Sequence, residues 1–262
     1  MKSLPPIYFA HANGFPAESY QELFDDMADE FKIYYLSMFG HENYPVTNNW
    51  PFLVEELIEH LSSLKLPPVL GIGHSMGGVL IYMAACRAPH LFDQIILLDS
   101  PLLGRLRSFL LKLIKFFKSM HYLTPQRQAL NRCKYFPNPE HALNYFKKKS
   151  LFKEFSARSL ALYVEKGLKP TAEGWMLRFN NEIESNIFGT IPDNLLSYEL
   201  NKRIKRSLIY SLRSHIVSPS ELKVMQSKQY GFKIYPFSLG THLFPFEYPS
   251  LVAEMIKNIV RT

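Results

Sequence analysis

Cysteine is scarce: the chain of 262 residues holds two, Cys86 and Cys133. Two are too few for a disulfide framework, so reduced thiols in a cytoplasmic protein are expected. Met1-Lys-Ser-Leu runs straight into an apolar stretch, and this reading leaves no room for a signal peptide. Histidines and carboxylates show no clustered ligand spacing and there is no Gly-rich phosphate loop, so neither a metal nor a cofactor is expected. Repeats and low-complexity segments are missing too. The formal net charge is +7, but no nucleic-acid-binding motif accompanies it, which argues against a nucleic-acid partner. One long run lacks charge: positions 66–86 contain no acid or base except His74. Its length suits a membrane span, but Pro67-Pro68, a glycine cluster and an embedded serine argue for a buried strand followed by a buried helix.

That serine is the centre of the sequence. Gly73-His74-Ser75-Met76-Gly77 reads G-x-S-x-G, between the apolar Pro67–Ile72 and the helix-compatible Gly78–Cys86. A serine on a tight strand-to-helix turn is held in a strained backbone with its hydroxyl lifted above the sheet. The flanking glycines are needed where side chains would collide with the adjoining strand and helix. The bare pattern is common, and the strand before and helix after make Ser75 a candidate nucleophile rather than a plain turn residue.

Two further segments complete a pattern. Pro5–Ala10 reads as a strand running into His11-Ala12-Asn13-Gly14-Phe15-Pro16. Near the other end, Phe232–Phe237 reads as a last strand, followed by Gly240-Thr241-His242 and a helix over Pro249–Val260. Over nearly its whole length the chain resembles the α/β-hydrolase family, whose first core strand often ends in a His-Gly-x turn. The resemblance implies a mostly parallel central sheet flanked by helices, an oxyanion hole formed by the amides of Asn13 and Met76, and His242 as general base. Such a base is chemically required, because a serine hydroxyl is a poor nucleophile near neutral pH. Ala12 stands where the family usually has glycine. His11 is expected to organise its turn, and Glu247 to be a first-turn helix carboxylate.

The acid departs from the family pattern. It usually follows the next-to-last strand, here Ser207–Tyr210, but Ser214 occupies the expected position. A hydroxyl cannot stabilise an imidazolium as a carboxylate does. Either the triad is broken or the acid comes from elsewhere, and Asp99, at the end of the strand Asp93-Gln-Ile-Ile-Leu-Leu-Asp99, is the expected replacement; in the family's strand order that strand lies between the nucleophile's strand and the one leading to Ser214. The alternative is a turn-capping aspartate in Asp99-Ser100-Pro101. His215 is expected to be a loop residue.

Charge divides the chain. Residues 101–206 carry 20 Lys and Arg against 8 Asp and Glu, a net +12, while the remainder carries a net −5. The shift falls where the family inserts a cap, so residues 1–100 and 207–262 are expected to form the core and 101–206 a mainly helical lid. Within it, Arg105, Lys112, Lys115 and Lys118 fall on one helix face, with Phe109, Leu110, Leu113, Ile114, Phe116 and Phe117 on the rest. A lid helix with its apolar side over the pocket and its cations in water is favoured over contact with an anionic membrane surface. Lys147–Lys149 and Lys202–Arg206 are expected to be solvated faces. Trp175, Phe179 and Phe188 could line an acyl pocket, though ordinary cap core is favoured. The core strand Phe31–Leu36 is followed by a helix over Phe52–Leu64, with Leu53, Leu57, Ile58 and Leu61 inside and Glu55, Glu56 and Glu59 outside. The expected protein is a hydrolase of carboxylic esters or related acyl bonds acting on a small-molecule substrate. Open alternatives are a thioesterase, lyase or carbon–carbon hydrolase on the same fold, or a non-catalytic protein that has lost its acid at position 214.

Overall fold

A computed structural model describes residues 4–117 and 119–262. The first half alternates strand and helix: β1 Pro6–Ala10, α1 Gln21–Asp25, β2 Lys32–Tyr35, α2 Pro51–Ser63, β3 Val69–His74, α3 Met76–Arg87 and β4 Phe92–Leu98. The middle holds α4 Arg105–Phe116, α5 Met120–Leu123, α6 Gln126–Leu130, β5 Tyr135–Phe136, α7 Pro139–Lys147, α8 Ala157–Gly167, β6 Leu168–Thr171, β7 Gly174–Leu177 and α9 Asn181–Gly189. The chain returns through β8 Lys205–Ser211, α10 Pro219–Gln226, β9 Lys233–Phe237, α11 Phe244–Glu247 and α12 Pro249–Arg261.

Six strands form one sheet in the order β2-β1-β3-β4-β8-β9, and every pairing in it is parallel. A parallel sheet is covered on both faces, which explains why β3 is buried at every position and β4 at all but two. Helices α2, α3 and α10 pack on one face, and α1 and α12 on the other. The uncharged run 66–86 is therefore β3 and α3. Among the described residues no helix is long and apolar enough to cross a membrane.

All six strands end at the same rim. Ser75 follows β3, Asp99 follows β4, Ser211 closes β8, and the His242 loop follows β9. The strand order puts β4 between β3 and β8, so the carboxyl ends carrying Ser75 and Asp99 are adjacent.

The expected lid, 101–206, runs two residues into β8, and residues 101–204 between β4 and β8 are not purely helical: β5, β7 and β6 form a second, antiparallel sheet of three strands. Among the described residues this part forms no hydrophobic cluster of its own. Leu111, Phe179 and Leu195 join the cluster around α3, while Phe146, Tyr163 and Leu177 join the cluster around Phe9 and Phe246.

Two charged residues expected in water are buried. Glu56 on α2 turns inward and accepts the Gly40 N–H at 2.8 Å. Burial raises its carboxyl to about 7, because removing water penalises the charged form. Arg206 is also buried and donates to the carbonyls of Ile204, Leu200, Tyr230 and Asn201. Helix periodicity and charge runs do not reveal such tertiary partners.

Helix α4 is also oriented differently from the lid expectation. Ser108 and Leu111 are its buried residues. Phe109, Leu110, Leu113, Phe116 and Phe117 are exposed, and only Ile114 of the expected covered set is partly buried. Lys115 is drawn inward by Asp193 at 2.7 Å and by Asn48. Lys118, assigned from periodicity to the cationic face, lies outside the described residues.

Candidate active site

The turn carrying Ser75 is tight for reasons visible in its neighbours. Ser75 has φ 54 and ψ −116, a conformation that costs a non-glycine residue on the order of 1–3 kcal/mol. A Cβ on Gly77 would lie 2.0 Å from the Ala10 carbonyl oxygen, and one on Gly73 would lie 2.3 Å from Gly77 backbone. Glycine therefore lets the start of α3 press against the ends of β1 and β3. The turn is pinned from β4 as well, where the Ser75 N–H donates to the Leu98 carbonyl at 2.9 Å.

Asp99 is fully buried and also has a positive φ, 47. Its own N–H donates to the Ile209 carbonyl at 2.8 Å. Carboxylate Oδ1 accepts the Ser211 N–H at 3.2 Å, and Oδ2 lies 2.7 Å from His242 Nδ1. The far imidazole nitrogen, Nε2, is 3.0 Å from Ser75 Oγ. With Nδ1–H donating to Asp99, Nε2 has its lone pair free to accept the serine proton. The chain thus places Asp99, His242 and Ser75 in one hydrogen-bonded line. Ser214 is elsewhere, its hydroxyl accepting the Ile216 N–H. His215 is exposed.

The His242 loop is held by groups with no signature in the sequence. The Ser211 hydroxyl donates to the Gly240 carbonyl. Glu247, expected as a simple helix-end carboxylate, is buried and accepts the Thr241 N–H at 2.6 Å and the Thr241 hydroxyl. His74, beside the nucleophile, reaches the same loop. The Tyr20 hydroxyl accepts the Ala12 N–H at 3.2 Å and so spends its proton on His74 Nδ1 at 2.7 Å. The remaining His74 Nε2–H then donates to the His242 carbonyl at 2.9 Å. Burial first, and the neighbouring His242 second, hold His74 well below the usual imidazole range. It remains neutral, as this donor–acceptor pattern requires.

The turn after β1 is likewise built from inside. His11 is fully buried; its Nε2 accepts the Phe39 N–H at 3.0 Å and its Nδ1–H donates to the Ala12 carbonyl at 2.9 Å. Burial pushes its pKa down to about 4, so it is a neutral turn organiser. The Asn13 side chain donates to the Glu184 carbonyl on α9 at 3.0 Å. Among the described residues the backbone N–H of Asn13 has no hydrogen-bond partner. That of Met76, at the first position of α3, has no partner within its helix. Residues 101–206 close onto this turn through Arg132 and Glu184, paired at 2.6 Å. A Cβ on Gly14 would lie 2.6 Å from Glu184 Oε1. Phe179 is buried against His11 and His41 as packing. Trp175 and Phe188 are partly buried. Among the described residues no group of three or more His, Cys, Asp or Glu could hold a metal ion.

An acid, an imidazole and a strained serine in line, on the carboxyl rim of this strand order, set the chemistry to expect. Residues 7–254 match the Alpha/beta hydrolase family. The chain belongs to that family. A search of curated proteins found no match. Similar solved structures include E-2-(acetamidomethylene)succinate hydrolase, at TM-score 0.78 and 15% identity, covering 99% of this chain and 92% of that one. A thioesterase domain from the curacin biosynthetic pathway has TM-score 0.74 and 15% identity, with 97% and 92% coverage. An esterase of M. tuberculosis has TM-score 0.70 and 16% identity, with 99% and 86% coverage. At these identities the likeness is one of fold, and membership of the family supports hydrolase chemistry.

Proposed function

We propose that this α/β hydrolase cleaves a carboxylic ester or a related acyl bond through an acyl-serine intermediate. His242 removes the Ser75 proton as Oγ attacks the carbonyl carbon, and Asp99 keeps the imidazole in the receptive tautomer. The oxygen that becomes negative is received by the N–H groups of Met76 and Asn13, each worth about 3–4 kcal/mol by analogy with measured donors. His242 then returns the proton to the leaving group. Water, activated by the same imidazole, releases the acid and restores the serine. No metal or organic cofactor enters this scheme. A cytoplasmic location accords with the two free thiols.

The observation that carries the reading is the unbroken line from Asp99 through His242 to Ser75, at 2.7 and 3.0 Å. It also weighs against a non-catalytic protein, since a carboxylate, that of Asp99, lies 2.7 Å from the His242 ring although position 214 holds serine. A panel of p-nitrophenyl esters and acyl thioesters of graded chain length tests the proposal. Turnover of at least one class should fall by roughly 10⁴-fold or more in Ser75→Ala. Turnover unchanged in that variant refutes the assignment.

A further inference from the structure

Helix α4 turns an apolar stripe toward solvent. Leu106, Phe109, Leu110, Leu113, Phe116 and Phe117 follow the i, i+3, i+4, i+7 spacing of one helix face, and all six are exposed, from 40% at Leu113 to 80% at Phe116. The opposite side anchors the helix through Leu111 and through Lys115 on Asp193. Among the described residues nothing therefore covers the stripe. Tyr122, exposed and with the Arg127 guanidinium over its ring at 5.3 Å, adds to the apolar and basic surface of the same segment. Soluble monomers rarely leave an apolar surface of this extent unoccupied.

Charge identifies the occupant. Arg105 and Lys112, seven residues apart, lie along one border of the stripe, and among the described residues neither forms an ion pair. They belong to a segment with a net +12 on a chain of +7. A second copy docking stripe to stripe would bring two such segments together against their mutual repulsion. An anionic lipid surface instead accepts both features, because Phe and Leu enter the acyl boundary while Arg and Lys remain among the headgroups. We infer that α4 docks this protein on anionic bilayers. The helix begins six positions after Asp99. The inference stands on α4 and does not depend on the acyl-transfer reading.

Cosedimentation of the full chain with phosphatidylcholine vesicles, with and without about a third phosphatidylglycerol, tests it. The wild type should bind the mixed vesicles at least about 10-fold more tightly than the neutral ones, and added salt should weaken binding. The double variant Phe116→Glu with Phe117→Glu should lose at least about 10-fold of that binding while keeping its thermal midpoint. A separate Phe116→Trp variant should show a blue-shifted emission when mixed vesicles are added. Equal binding by wild type and double variant, or an unshifted emission, overturns the inference. So does a wild-type dimer, formed without lipid, that the double variant abolishes, since it assigns the stripe to a second copy.

Discussion

At the scale of single residues, the informative position is Asp99. Its two carboxylate oxygens have different partners, the Ser211 N–H on Oδ1 and the His242 ring on Oδ2. An asparagine there would turn its carbonyl to the Ser211 N–H, which can only donate, and so present its NH₂ to His242 Nδ1. That inverts the tautomer and leaves Nε2 protonated against Ser75. Asp99→Asn is therefore expected to lower kcat by about 10³–10⁴-fold, whereas Ser214→Ala should stay within about 0.5 kcal/mol in stability and leave kcat unchanged. Steady-state kinetics of the two variants side by side check this; a harmless Asp99→Asn contradicts it. The contact of Asp99 with the His242 ring was legible in the sequence because Asp99 ends a strand whose neighbours follow from the strand order that the family resemblance implies. Ser211, Tyr20 and the clamping role of Glu247 were not. Each acts through a backbone group brought near by the fold, and no spacing announces that.

Elements explain how the site is held together. Strands β3 and β4 deliver Ser75 and Asp99 in strained turns, and three short contacts hold the β9–α11 loop: Ser211 to Gly240, Glu247 to Thr241, and His74 to His242. The close approach of α3 to β1 makes one glycine decisive. Gly77→Ala would drive a Cβ to 2.0 Å from the Ala10 carbonyl oxygen, where the neighbour is backbone and cannot step aside, so a loss of more than about 3 kcal/mol is expected. Gly167→Ala, with nothing within 4 Å of its Cβ, should be neutral or stabilising by up to about 1 kcal/mol. Urea unfolding midpoints distinguish the pair, and equal effects contradict the packing argument. The segments after the serine motif and after Gly240-Thr241-His242 located α3 and α12, and periodicity located α2, each to within a few residues. It could not tell which face of α4 is covered, because an amphipathic pattern gives a direction and not the identity of what lies there.

For the whole molecule, burial of neutral imidazoles links stability to pH. The His11 pKa is about 4 in the fold and about 6.5 in the unfolded chain. Between these values the unfolded chain binds a proton that the native one does not, so stability falls as pH drops from about 6.5 toward 4 and levels off below. The full loss is about 3 kcal/mol for this residue, and burial of His74 acts in the same direction. His11→Gln should therefore be less stable at neutral pH but show a flatter decline on acidification; an unchanged slope of unfolding free energy against pH contradicts the assignment. Glu56, raised to about 7, acts oppositely, costing stability as pH rises from the ordinary carboxyl range through 7, so the variant is compared with wild type at each pH. Whether Ser75 is activated is read by intact-protein mass spectrometry after exposure to a fluorophosphonate. One adduct per chain, mapped to Ser75, absent in Ser75→Ala and formed at least about 100-fold more slowly in Asp99→Asn, is the predicted result. No adduct on the folded wild type, or equal labelling rates with and without the Asp99 carboxylate, would contradict the account.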